Sequence, residues 1–90
     1  MTDFAAAVLT DHARGQMARR GLDERVVRRV LEAPDSVEPV RQGRIVVQKH
    51  LPMGVPQREY LIRVFVDVDR TPPEIVTAYR TSRIAKYRRP

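Results

Sequence analysis

Ninety residues suffice for one thin hydrophobic core and not for two, so the chain is expected to form a single domain over residues 1–90. Seventeen Lys and Arg against eleven Asp and Glu leave a net charge of +6, which points to an anionic partner, nucleic acid before any other. The absence of cysteine excludes disulfides, thiolate metal sites and Cys nucleophiles, and no apolar run approaches the ~20 residues that cross a bilayer.

Residues 1–10 read as either a short strand ending at Val8, Leu9 and Thr10 or an arm that frays over 1–8. Residues 11–20 follow as a short helix. Thr10 or Asp11 can cap it, Ala13 and Met17 share one face, and Gly21 stands where a left-handed terminating residue belongs. Gly15 weakens this helix by about 1 kcal/mol relative to Ala, so it must lean on tertiary packing. Asp23 caps a second helix over 24–33, with Val26, Val27, Val30 and Leu31 on one stripe and Arg25, Arg28, Arg29 and Glu32 outward. Pro34 ends it, because a proline biases its predecessor away from the helical region.

Beyond Pro34 the period becomes that of strands. Residues 36–41 contain Pro39, which suits an edge strand, and Gln42-Gly43 then offers a tight turn into a strand over 44–51. The longest strand, 58–68, alternates Tyr60, Ile62, Val64, Val66 and Val68 against Glu59, Leu61, Arg63, Phe65 and Asp67. A last strand over 74–80 leads to residues 82–87, which fit a helical turn or a strand extension. The expected architecture is α+β: an N-terminal two-helix hairpin packed on a three- to four-stranded antiparallel sheet, with a basic C-terminal segment. The sheet face carrying Arg63 is left for solvent or ligand.

The lack of disulfides in so small a domain favours a cytoplasmic setting with no membrane partner. The start of the chain, with Asp3 and only a short apolar stretch, does not read as a signal peptide. Four scattered glycines form no phosphate loop. Neither His12 nor His50 has a carboxylate at ligand spacing, so neither a metal site nor a cofactor is expected. Arg, Lys, Tyr and two His remain. Such a set suits RNA cleavage by the 2′-hydroxyl, which needs a proton acceptor, a proton donor and positive charge on the developing phosphorane.

Five basic residues and no acidic one occupy 80–90: Arg80, Arg83, Lys86, Arg88 and Arg89. Arg83, Lys86, Arg88 and Arg89 are candidates for gripping RNA phosphates, a solvated tail being the bland alternative. Arg80 and Tyr87 lie seven residues apart, so a helical turn between them would bring both to one side. Arg63 emerges from the sheet face, either toward ligand or into an ion pair with Glu59 or Asp67. Tyr79 and Tyr87 fit a core or a base-stacking role. His12, at a helix start, fits proton transfer or local packing, and His50 reads as a loop-edge residue.

The run His12-Ala13-Arg14-Gly15-Gln16-Met17-Ala18-Arg19-Arg20-Gly21-Leu22 resembles the opening signature of an uncharacterised bacterial domain-of-unknown-function family. Ile75-Val76-Thr77-Ala78-Tyr79-Arg80 is similar to its closing pattern. Gln16 departs from the Arg usual in the family. The element order is similar to that of the BrnT and RelE toxins. This resemblance implies a metal-independent endoribonuclease of a toxin-antitoxin module, with RNA (ribosome-bound mRNA among the options) and a small acidic antitoxin as partners. It implies a catalytic set of Arg63, Arg80 and Tyr87, to which the helix motif adds His12, with Arg20 among the RNA-binding residues. A ParE-like inhibitor of a protein target and a nucleic-acid-binding accessory domain are the alternatives.

Overall fold

The backbone N–H groups at each helix start need acceptors, and the side chains beside them supply these in a computed structural model that describes residues 4–87. A short 3-10 turn, Phe4–Ala6, precedes strand β1 (Val8–Leu9). Helix α1 (Asp11–Arg19) starts where the Thr10 hydroxyl accepts from the Ala13 N–H at 3.0 Å. It stops at Gly21, whose φ of 64° a side chain would strain, and where Leu22 N–H reaches back to the Met17 carbonyl at 2.9 Å. Helix α2 (Glu24–Glu32) starts at Asp23, whose carboxylate accepts from the Arg25 N–H at 2.8 Å.

Strands β2 (Ser36–Arg41), β3 (Arg44–Met53), β4 (Arg58–Asp67) and β5 (Glu74–Thr81) follow, and a 3-10 turn, Ile84–Tyr87, ends the described chain. Gly43, at φ 84°, makes the β2–β3 turn, and its missing side chain leaves room for Asp69, whose Oδ2 stands 2.6 Å from where a Cβ would be. Residues 82–87, for which the sequence left two options, thus hold a helical turn.

The sheet has five strands in the order β1-β5-β4-β3-β2, and it is mixed. The expectation of an N-terminal helical hairpin on a three- to four-stranded antiparallel sheet is therefore overturned. The two-residue β1 runs parallel to β5, held by Val8 N–H to the Pro73 carbonyl at 2.9 Å and Thr10 N–H to the Ile75 carbonyl at 3.2 Å. A strand of two residues carries no alternation, so its pairing is set by the backbone of β5 rather than by pattern. The helices also pack on the sheet individually: α1 lies along β5, and α2 lies across β4 and β3.

One face of the sheet makes the core with the helices. Val47, Ile62, Val64, Val66, Ile75 and Ala78 meet Ala13 and Met17 of α1 and Val27, Val30 and Leu31 of α2. Burying each Val, Leu, Ile or Met side chain of this set contributes roughly 1.5–3 kcal/mol. β2 is the edge strand that Pro39 called for, with a register irregularity between Pro39 and Arg41. Among the described residues no helix is long and apolar enough to cross a membrane.

The opposite face is more enclosed than the sequence implies. Val46, Gln48, Leu61 and Asp67 are all buried there. Buried polar groups need partners, and among the described residues no buried side-chain nitrogen or oxygen lacks one.

Candidate functional site

Strand register decides which side chains meet. Gln48 of β3 stands opposite Arg63 of β4, and Arg63 stands opposite Tyr79 of β5. The three share the face away from the helices. Arg63 Nε donates to Gln48 Oε1 at 2.8 Å, and its Nη1 donates to the Tyr79 hydroxyl at 2.5 Å. Gln48 is in turn fixed by donating to the Ser36 hydroxyl of β2 at 3.2 Å. Neither Glu59 nor Asp67 pairs with Arg63; Asp67 belongs to Arg44, at 2.6 Å.

The C-terminal turn brings a second tyrosine onto this row. Tyr87 places its ring 4.1 Å from the Arg63 guanidinium carbon, while the rings of Phe65 and Tyr79 lie 5.3 and 5.7 Å away. The Tyr79 hydroxyl donates to the Tyr87 oxygen at 3.4 Å. A chain of donors therefore runs from the Arg63 guanidinium through Tyr79 to Tyr87. Donation from Tyr79, with Lys86 and Arg63 nearby, holds the Tyr87 phenol below the usual tyrosine range. Burial pushes Tyr79 the other way, upward, and its bond to Tyr87 adds to the rise. The environment thus pushes the two phenols in opposite directions.

Arg20 reaches the same place from α1. As the residue before Gly21, it sits where the helix stops, and its Nη1 donates to the Ala78 carbonyl at 2.9 Å and to Thr77 Oγ1 at 3.3 Å. Its guanidinium carbon lies 6.0 Å from the centre of the Tyr79 ring. Gln16, one turn earlier, accepts a hydrogen bond from the Thr77 hydroxyl. The helix motif thus serves to dock α1 on β5 and to carry Arg20 to the tyrosine row.

Beside the row opens a cleft of about 220 Å³, lined by Asp35, Ser36, Glu38, Gln48, His50, Leu61, Ile84 and Tyr87. Arg63 touches two of these residues, bonded to Gln48 and stacked on Tyr87. His50 is not a loop-edge residue. It lies within β3, with its N–H on Asp35 Oδ2 at 2.8 Å and its ring Nδ1 3.2 Å from the same oxygen. The His50 backbone N–H is the main cause holding the Asp35 carboxyl below its usual range, with smaller help from the ring and Lys49.

Arg20, Arg63 and Tyr87 are therefore brought together, and Lys86 joins them with its ammonium 5.5 Å from the Tyr87 ring. Arg80 is not. It pairs opposite Ile62, on the helix side of the sheet, and its guanidinium lies 5.4 Å from the Tyr60 ring. Neighbouring strand residues point to opposite faces, so the placement of Tyr79 forces that of Arg80. His12 is exposed in the first turn of α1. It lies eight residues from Arg20 along α1, roughly 12 Å at helical rise. Arg83 is exposed, with its backbone bonded to Thr81 at 3.0 Å. Arg88 and Arg89 lie outside the described residues.

Sequence reasoning missed Gln48, His50 and Asp35 as site residues. A signal existed: Gln48 is a polar residue that follows Ile45, Val46 and Val47, and His50 is two positions on, hence on the same face.

What these features define is a small α+β domain with a cationic, tyrosine-lined site on the helix-free face of its sheet. The chain belongs to the DUF4258 family of domains of unknown function, whose model matches residues 9–80. That span includes Arg20, Arg63 and Tyr79 and stops before Tyr87. No curated protein and no solved structure matched the chain.

Proposed function

We propose that this protein is a toxin-like endoribonuclease, related to the RelE and BrnT toxins, that cleaves RNA by attack of a 2′-hydroxyl on the adjacent phosphate. The observation that carries this reading is the contact between Tyr87 and Arg63, a phenol ring stacked 4.1 Å from a guanidinium. Tyr87 takes the 2′-hydroxyl proton. Arg63 stabilises the phosphorane, since its charge is fixed in place before reaction by Gln48 and Tyr79 and no reorganisation is needed. Arg20 and Lys86 hold flanking phosphates, and Arg83 extends the cationic track. Attack by the substrate's own hydroxyl requires no protein nucleophile.

A small acidic antitoxin is the expected counterpart, because a surface of charge +6 is neutralised by direct pairing with an acidic protein. RNA is bound chiefly through phosphates. If the cationic surface neutralises about four of them, log affinity falls with log salt at a slope of roughly −3.

The test is induction of the gene alone in a bacterial host, with mapping of new RNA ends and parallel incubation of the purified protein with RNA. Growth arrest with new ends carrying 2′,3′-cyclic phosphates is the expected result, relieved by a co-expressed acidic partner. Growth arrest without new RNA ends would point instead to inhibition of a protein target. Undisturbed growth at high soluble expression would sink the toxin assignment.

A further inference from the structure

Cleavage by a 2′-hydroxyl moves two protons, and the tyrosine row accounts for one. The P–O5′ bond must also break, and an alkoxide is a poor leaving group unless a proton reaches it in the transition state. Arg63 keeps its charge and cannot serve as donor. A second titratable group is needed in the cleft.

His50 meets the geometric requirements. It lines the cleft that Tyr87 also lines, and it is attached to β3, a ten-residue strand in the interior of the sheet, rather than to a loop. Two contacts to one carboxylate oxygen hold it, the backbone N–H at 2.8 Å and Nδ1 at 3.2 Å. A carboxylate only accepts, so Nδ1 carries a hydrogen, and Nε2 is the nitrogen left to exchange a proton. Asp35 is itself held on its other oxygen by Lys49, at 3.6 Å. The pair therefore resembles the orienting carboxylate and imidazole of many acid–base sites, with the carboxylate fixing the ring and the ring moving the proton.

The charge across the cleft orders the substrate. Asp35 and Glu38 lie on the β2 side, while Tyr87, backed by Arg63, lies on the other. An anionic phosphorane is favoured beside the Arg63 guanidinium, whose partners are an amide, a phenol and aromatic rings. The departing oxygen then leaves toward His50.

We propose that His50, oriented by Asp35 in the cleft it shares with Tyr87, is the proton donor to the departing 5′-oxygen of RNA; this rests on the ribonuclease reading above. The step balances. The 2′-oxygen forms its bond to phosphorus as its proton passes to the Tyr87 phenolate. The P–O5′ bond breaks as the Nε2 proton of the His50 imidazolium passes to O5′. The products are a 2′,3′-cyclic phosphate and a 5′-hydroxyl, with Tyr87 a phenol and His50 neutral; proton exchange with water resets both. Asp35 is a positioning residue and moves no proton.

The test exploits the leaving group. The bond that the purified full-length protein cuts is located first, and the same oligoribonucleotide is then made with sulfur in place of the bridging 5′-oxygen at that bond. A thiol ionises near pH ~8.5, far below an alcohol, so a thiolate leaves without a proton donor. His50→Gln should slow the all-oxygen RNA about 10²-fold yet cleave the sulfur RNA within about threefold of the parent protein. Asp35→Asn should show a smaller loss with the same rescue. Tyr87→Phe should stay slow on both substrates, since its proton comes from the 2′-hydroxyl.

His50 is an exposed side chain, so the substitution is compatible with folding, and thermal melts of each variant establish that it is folded. A folded His50→Gln that is equally slow on both RNAs, or as fast as the parent on the oxygen RNA, overturns the donor assignment and leaves the ribonuclease reading standing. A folded parent protein that cuts no RNA at the first step overturns both.

Discussion

Arg44 and Arg63 stand on the same face of the sheet, on adjacent strands, and their guanidinium groups are satisfied in opposite ways. Arg44 grips the buried carboxylate of Asp67 through two hydrogen bonds, 2.6 and 3.2 Å, with Arg70 a further 3.8 Å away. Arg63 is bonded to an amide and a phenol and stacked on rings, and among the described residues no carboxylate pairs with it. In the first case a carboxylate that could not be buried alone is neutralised, so the contact serves the fold. In the second, neutral partners fix the guanidinium without cancelling its charge, which remains available to an anion. The difference separates an arginine that neutralises a buried carboxylate from one whose charge is left uncancelled more sharply than burial does.

The largest effect expected from breaking this contrast is on Arg63. Arg63→Gln should cut RNA cleavage by about 10²–10³, or roughly 3–4 kcal/mol, in a protein that still folds. Arg63→Lys should recover little, because a point charge cannot hold Gln48 and Tyr79 together in one fork. Rates measured on folded variants check both, and a fully active Arg63→Gln would remove the basis of the proposed mechanism.

Arg44→Ala should do the reverse. Leaving Asp67 buried and unpaired should cost about 3 kcal/mol, the low end for a one-sided loss because Arg70 stays close. In a domain of this size that lowers the melting midpoint by roughly 12 °C or more. Activity per folded molecule should not change. A stability loss without a rate loss here, and the converse at Arg63, is the result that would establish the division.

Tyr87→Phe removes one hydroxyl and keeps the ring over Arg63. The rate should fall about 10²-fold, within the range for loss of a positioned base, while the melting midpoint moves little. Acid should act on the Arg44 end. Hydrogen bonding by Arg44, with Arg70 adding charge, holds the Asp67 carboxyl below its usual range. A lowered folded pKa means the pair contributes fully above the unfolded value, about 3.9, and loses its contribution as pH falls through the folded value. Urea unfolding from pH 6 downward should show stability declining below about pH 4, and an Asp67→Asn curve should meet the parent curve at the acid end. The smallest changes belong to Arg80→Ala and His12→Ala. Both residues are exposed and away from the tyrosine row, so stability should stay within about 0.5 kcal/mol and cleavage near the parent rate.

The helices and the four long strands were legible because their signals are local. Thr10, Asp23, Gly21 and Pro34 punctuate α1 and α2, and the alternation from Tyr60 to Asp67 marks β4 whatever packs on it. Strand β1 was legible only as one of two options, and its parallel pairing was not legible at all. Two residues show no period, and the partner lies some sixty-five positions away, as in the Thr10 hydroxyl's bond to the Ile75 carbonyl. That missing strand is why the sheet was expected to be smaller and wholly antiparallel.

The sequence by itself determined the residue chemistry and the face of Arg63, since alternation within one strand needs no partner. It did not determine which residues share that face across strands. Register between strands is a property of paired backbones, and a slip of one residue would have exchanged Tyr79 for Arg80 beside Arg63. Tertiary structure made that choice. It set Tyr79 against Arg63, sent Arg80 to Tyr60, folded the last turn so that Tyr87 covers the guanidinium, and brought His50 to Asp35 across fifteen residues of chain. Burial decided it: Ile62 and Ala78, each fully buried, must face the helices, and their neighbours Arg63 and Tyr79 are left together on the other side.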